Sequence, residues 1–426
     1  MLKHQNCQLP CPQAGLASNR AESQVNAQPA TISPFLSKSL VLLFAVTCAL
    51  SVANVYYAQP LLDALAADFG FSQASVGIVI TATQVGCALA LLFVVPLGDL
   101  MNRRRLTMAQ LFLLCGALIA VGMASSPAVL LIGMLSVGLL GTAMTQGLIA
   151  YAASAAAPAE RGRVVGVAQG GVVIGLLLAR TVAGWVADLS GWRSVYFVSA
   201  AVALLMLVVL SRVLPAQASP TARISYLKLL GSMFAMLANE RVLQIRGVIA
   251  MLMFAAFSIF WSALVLPLSA APYSFSHTVI GSFGLVGVAG ALAAARAGHW
   301  ADHGHGQRTT GVALLLLLLS WLALGFMPYS LWALVLGIVL LDMGGQAIHV
   351  TNQNMIFQAK PAAHSRLVAC YMLFYTVGSG AGAILSTSVY AAAGWTGVCL
   401  LGATVSLLAL MFWRLTLHYT NRGLQA

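Results

Sequence analysis

Twelve apolar stretches set the limits on how this chain can fold, at about 38–60, 73–97, 106–125, 128–153, 164–187, 193–212, 246–268, 277–297, 309–327, 330–355, 366–391 and 395–416. Each is about 20 residues long, enough to cross a hydrocarbon core of about 30 Å. Lipid offers no partners to backbone N–H and C=O groups, so such stretches must satisfy them internally, as helices. Barrel strands would alternate in polarity, and these stretches do not. Only 7% of residues are charged while 60% are hydrophobic. A soluble chain carries roughly 25% charged residues. The expected fold is an all-α polytopic membrane protein with 12 transmembrane helices, embedded in a lipid bilayer.

The net charge of +12 follows membrane topology rather than a polyanionic partner. Of 21 Lys and Arg residues, 19 fall in tails or loops on one side, with Arg193 on the other side and Arg180 inside a span. Positive residues collect on the cytoplasmic face, which places both termini in the cytoplasm of a cell (inner) membrane and argues against nucleic-acid binding. Of the seven cysteines, five lie in apolar stretches and Cys7 and Cys11 in the tail, a pattern of neither disulfides nor a metal site.

A charged turn occurs twice, as Val95-Pro96-Leu97-Gly98-Asp99 through Arg103-Arg104-Arg105 and as Gly298-His299-Trp300-Ala301-Asp302 through Arg308. Asp99 and Asp302 are 203 residues apart, as are Arg105 and Arg308, Arg163 and Arg366, Gly175 and Gly378, and Gly191-Trp192 and Gly394-Trp395. The chain therefore reads as two pseudo-symmetric six-helix halves, 38–212 and 246–416. A disordered tail (1–37) precedes them, a linker (213–245) joins them and a short tail (417–426) follows. The linker is polar from Pro215 to Arg223 and then amphipathic from Ile224 to Leu237, as a surface helix would be.

Two six-helix halves with charged turns after spans two and eight resemble the major facilitator superfamily. Asp99, Arg103, Arg104 and Arg105 match that family's loop motif, and Gly298, Asp302 and Arg308 remain of it in the second copy. The resemblance implies that Asp99, Arg103, Arg105, Asp302 and Arg308 belong to conformational gate loops. In span five, Gly166, Gly175, Ala179 and Gly184 follow the spacing of the family's antiporter motif, with Arg180 and Ala183 departing from it. Their small side chains suit close helix packing. Asn54 through Leu62, Pro96 through Asp99 and Asp342 through Gln353 are similar to drug- and metabolite-efflux permeases. The resemblance further implies that spans one, four, seven and ten line a central cavity.

Charged and polar groups inside a membrane helix are costly, so each is a functional candidate. Asp342 lies mid-helix in span ten, and Gln346, His349 and Gln353 follow on one face. Asp342 is the expected proton carrier, and His349 shares the proton or binds substrate. Arg180 lies roughly 7 Å from its helix centre toward the outside. It pairs with Asp342, anchors an anionic substrate, or snorkels to the interface. Asn54, Tyr57, Gln84, Thr145, Gln146, Phe257, Trp261, Gln346 and His349 supply amides, hydroxyls and aromatic faces for a mostly apolar substrate.

No nucleotide loop or channel filter is present, and no paired catalytic groups point to an enzyme. The expectation is a monomeric secondary transporter without a cofactor, driven by the proton gradient, exporting a small organic compound by exchange. The alternatives are uptake of a metabolite or anion anchored by Arg180, and a membrane sensor built on a transporter fold.

Overall fold

The computed structural model describes residues 36–157, 160–214, 225–359 and 364–423. The expected tail at 1–35 and the polar linker stretch at 215–224 lie outside the described residues. Within them, all regular structure is helical.

The first half comprises α1 (Lys38–Tyr56) with its extension α2 (Leu62–Phe69), α3 (Ile78–Leu89), α4 (Arg103–Gly122), α5 (Pro127–Ala155), α6 (Arg161–Ser190) and α7 (Trp192–Val213). The linker helix α8 (Tyr226–Asn239) follows, with Leu229 and Met233 buried one turn apart, as expected of an amphipathic helix. The second half runs through α9 (Arg241–Ala263) and its extension α10 (Val265–Ser269), α11 (His277–Ser282) with α12 (Val288–Trp300), α13 (Gly306–Gly325), α14 (Leu331–Ala359) and α15 (His364–Gly423).

Local sequence accounts for the helix ends. Ser37, Asn102, Ser126 and Ser276 each accept from a backbone N–H three residues on, capping α1, α4, α5 and α11. Pro127 occupies the first position of α5, where a missing N–H costs nothing. The helix α15 is long enough for two crossings and is divided at Gly394, with φ 60° and ψ −159°. Among the described residues, eleven helical segments are thus long and apolar enough to span, the last holding spans eleven and twelve. Several boundaries differ from expectation by a few residues. The helix of span two begins at Ile78 rather than 73, that of span five runs from Arg161 to Ser190, and the last helix runs on to Gly423. Span seven begins at Arg241 rather than 246, which moves Arg246 from the helix end into its second turn.

The internal repeat is physical. A methyl added at Gly175 would lie 2.3 Å from Ala49 O, and one at Gly378 2.0 Å from Met251 O. In each half, the fifth helix therefore touches the first through a glycine at the same repeat position. Gly191 (φ 81°) and Gly394 (φ 60°) likewise turn the chain before Trp192 and Trp395. Large apolar side chains such as Ile132, Trp185, Leu292 and Leu400 stay exposed around the bundle, as a lipid-facing belt requires.

Candidate functional site

The centre of the molecule is built around Arg180. It is 2% exposed and does not snorkel. Its Nε donates to Gln59 Oε1 at 2.8 Å, on the turn joining α1 to α2. Its guanidinium carbon lies 4.0 Å from the ring centroid of Trp261 (α9) and 5.4 Å from that of Tyr56 (α1). Two aromatic faces take the place of water around the cation. Its Nη2 and the Trp261 Nε1 are both buried without a hydrogen-bond partner among the described residues. Tyr56 and Tyr375 hydroxyls, one from each half, meet at 2.5 Å beside it.

Asp342 is 4% exposed. It faces α12 rather than forming an ion pair with Arg180 within 4.0 Å. A methyl at Gly287 would lie 2.7 Å from Asp342 Oδ2, and one at Gly290 would meet Asp342's backbone and Cβ. One turn earlier, a methyl at Gly284 would lie 3.5 Å from Arg180 Cδ. The Arg180 side-chain stem and the Asp342 carboxylate thus pack against Gly284 and Gly287, three residues apart in the 3-10 turn that leads into α12. Among the described residues, no hydrogen bond reaches the Asp342 carboxylate.

The other candidates divide into groups. His349 Nδ1 lies 3.1 Å from Tyr371 Oη, and its Nε2 lies 3.3 Å from Gln353 Nε2. The ring also packs edge-on against Phe254. Gln346 is half-buried on the same helix face. Asn54 is tied inside the first half, donating to Leu50 O and accepting from Ser199 Oγ at 2.6 Å, and Thr145 donates to Gly141 O. Tyr57 is buried. Gln84 is buried with its Oε1 unpartnered among the described residues, and Phe257 packs against Trp261. Gln146 lines a separate cavity with Asp99, Arg103, Gln110, Met233 and Arg366.

In the gate loops, Arg103 pairs with Asp99 at 3.0 Å and donates to Ala150 O at 2.7 Å. Arg104 donates to Ser211 O at 2.7 Å, at the carbonyl end of α7. Arg105 and Arg308 are exposed, and the Asp302 side chain lies outside the described residues. Ala179 is buried, whereas Gly166 is exposed and a methyl there would meet no atom within 4 Å, so it packs no neighbouring helix.

At the end opposite these basic loops, the halves are joined. Asp188 Oδ2 accepts from Thr278 N at 2.8 Å and Thr278 Oγ1 at 2.6 Å, capping α11 from across the interface. His277 spans two acids of the first half, at 3.0 Å from Asp63 and 3.1 Å from Asp188. Thr81 donates to Gly380 O and Thr181 to Gly281 O, and Thr387 and Ser388 donate to Ala74 O. Backbones touch here, since a methyl at Gly184 would lie 2.1 Å from His277 O.

Sequence reasoning passed over this latch, because positions 63, 188 and 277 share no spacing. It also passed over Arg246, which is 0% exposed. Its Nη1 donates to Thr310 Oγ1 at 3.0 Å and Asn352 Oδ1 at 3.3 Å. The signal available was Asn352, one residue off the Asp342 face.

Comparison with known proteins gives consistent results. A family model described as Major Facilitator Superfamily matches residues 42–236 and 247–426. The chain is 44% identical over 378 residues to the uncharacterized transporter YgaY of Escherichia coli O157:H7, covering 89% of this chain and 95% of that one. Among solved structures, it is similar to a bacterial homolog of the human lysosomal transporter Spinster, in an inward-facing and occupied conformation, with TM-score 0.73, 14% identity and coverage of 90% and 97%. The nucleoside transporter NupG is also similar, with TM-score 0.69, 15% identity and coverage of 88% and 97%. At these identities the two structures speak for the fold alone.

Proposed function

Because the chain belongs to the major facilitator superfamily, we propose that it is a proton-coupled secondary transporter of a small organic compound, working by alternating access between its halves. It is a multi-pass membrane transporter and not an enzyme. The observation that carries the coupling is Asp342, a buried carboxylate free of hydrogen bonds from described residues and close to Arg180. Such a group can take up and release a proton as the halves rock, because among the described residues no hydrogen bond fixes it in the charged form and only Arg180 favours that form. The latch formed by Asp63, Asp188 and His277 belongs to the state in which the end opposite the basic loops is shut. The excess of Lys and Arg at the other end supports an inner-membrane protein with that end in the cytoplasm.

The span-five glycine spacing and the likeness to efflux permeases favour export by exchange. One proton moving through 100 mV supplies about 2.3 kcal/mol. At 1.4 kcal/mol per tenfold, that sustains a gradient of roughly fiftyfold for an uncharged compound. The unpartnered Arg180 Nη2 favours a second reading, in which Arg180 anchors an anion. Internal pH in proteoliposomes, followed while drugs, sugars, amino acids and organic acids are added, tests the proposal. A substrate-dependent proton flux that disappears in Asp342→Asn supports it. The same flux in both proteins removes Asp342 from the mechanism.

A further inference from the structure

We infer that the central site takes an organic monocarboxylate, bound through Arg180 Nη2 and Trp261 Nε1 together with one proton. This rests on the central site being the transport site. Two buried N–H donors there lack partners among the described residues, one on α6 of the first half and one on α9 of the second. They are neighbours, because the guanidinium carbon lies 4.0 Å from the Trp261 ring centroid. Leaving a buried donor unsatisfied costs about 1–3 kcal/mol, and more when it is charged. Native structures keep few such groups without a reason.

The remaining Arg180 contacts look like a mount for this donor pair. Gln59 fixes Nε, and Tyr56 and Trp261 cover the guanidinium faces. Nη1 lies 3.5 Å from Leu176 O, which leaves Nη2 as the guanidinium nitrogen without a partner among the described residues. An acceptor with two oxygens on one carbon would satisfy both orphans, one oxygen each. Its body would meet Tyr56 beside Arg180, Phe257 beside Trp261 and Tyr375 beside Tyr56, which suits an apolar or aromatic substituent. Because the two donors come from different halves, the same carboxylate would also tie the halves together when bound.

Charge balance then fixes the coupling. Among the described residues, the titratable and charged groups at this point are Arg180, Asp342, the hydroxyls of Tyr56 and Tyr375 and, next to these, the Cys87 thiol. Arg180 and an ionised Asp342 are neutral together. Adding a carboxylate leaves one negative charge in a medium where uncompensated charge is costly, and a proton on Asp342 removes it. Anion and proton therefore enter together and leave together, which is co-transport, so that for a carboxylate this mode replaces the export by exchange favoured above. A dianionic phosphate would exceed what one cation and one proton balance.

Calorimetric titration of the purified protein in nanodiscs tests this at equilibrium, with no gradient required. The probes are phenylacetate and hexanoate, the neutral phenylacetamide and the cation phenethylamine. Repeating the titrations in buffers of different ionisation enthalpy counts the protons taken up. The expected result is that both carboxylates bind at least about tenfold more tightly than the amide or the amine, with one proton taken up per carboxylate. Trp261→Phe keeps an aromatic face but lacks the N–H, and weakens carboxylate binding by roughly tenfold or more. Arg180→Ala abolishes it, and Arg180→Lys, which keeps the charge and guards against misfolding of the alanine variant, retains part. Carboxylates that do not bind, that bind no better than the amide, or that bind equally well to Trp261→Phe and Arg180→Lys overturn the inference. Proton uptake unchanged in Asp342→Asn overturns the charge balance. Loss of pH-driven flux in Asp342→Asn with no carboxylate preference would leave the coupling reading standing and this one refuted.

Discussion

Gly281→Ala should hold the distal end of the transporter open. At that end, α11 crosses α6 with backbone against backbone. The added methyl would lie 2.2 Å from Arg180 O, 2.7 Å from Arg180 C and 3.0 Å from Thr181 Cα. Favourable carbon contacts begin near 3.5 Å, so the helices must part by roughly 1 Å. The nearest atoms are backbone, and no side-chain rotation relieves them. Overpacking of this kind costs about 1–3 kcal/mol, and it also strains the bond from Thr181 to Gly281 O. The penalty falls only on the state in which the halves meet there, so it shifts the equilibrium toward the open state by about 5- to 150-fold. Spin labels at Ser125→Cys and Tyr329→Cys report this by pulsed electron resonance, with Cys7 and Cys11 changed to serine. Both positions are exposed at that end, one on each half, Tyr329 being 86% exposed. The long-distance population should grow in Gly281→Ala and stay constant in Gly166→Ala, where a methyl meets nothing within 4 Å. Identical distance distributions for Gly281→Ala and the parent protein would refute the assignment of this contact to a gate.

Other perturbations have equally definite outcomes. Asp188→Ala removes the acceptor of His277 N and Thr278 N and should cause the same widening, at about 1–2 kcal/mol, read with the same labels. Arg246→Ala strips Asn352 and Thr310 of a donor and should lower stability by about 1–3 kcal/mol in thermal unfolding, without changing the label distances. Gly394→Ala forces a side chain onto φ 60° and ψ −159° and should lower the unfolding temperature by the equivalent of about 1–3 kcal/mol. Gly325→Ala, at a helix end with open space, should not.

The sequence displayed its helices plainly, because lipid demands long uninterrupted apolar stretches. It also displayed the repeat, since Gly175 and Gly378 are held by the same packing need in both halves. Asp342 and Arg180 stood out as charges inside apolar stretches. Their arrangement did not, because contacts among α6, α9, α12 and α14 leave no periodic trace. Gln59, which fixes Arg180, reads as one amide in a turn, and Trp261 reads as one member of an aromatic face. Asn54 looked equally suited to a cavity, yet Ser199 satisfies it inside the first half. Composition cannot tell a polar group that awaits a ligand from one already paired.

Uphill transport and equilibrium exchange, measured side by side in proteoliposomes with wild type and Asp342→Asn, test the proton-coupling claim most directly. Labelled substrate is followed first under an imposed pH gradient and then with equal substrate on both sides and no gradient. The proposed mechanism predicts that Asp342→Asn loses gradient-driven accumulation while retaining exchange, because the neutral amide leaves the halves free to rock but carries no proton. Accumulation by Asp342→Asn equal to that of wild type would contradict it.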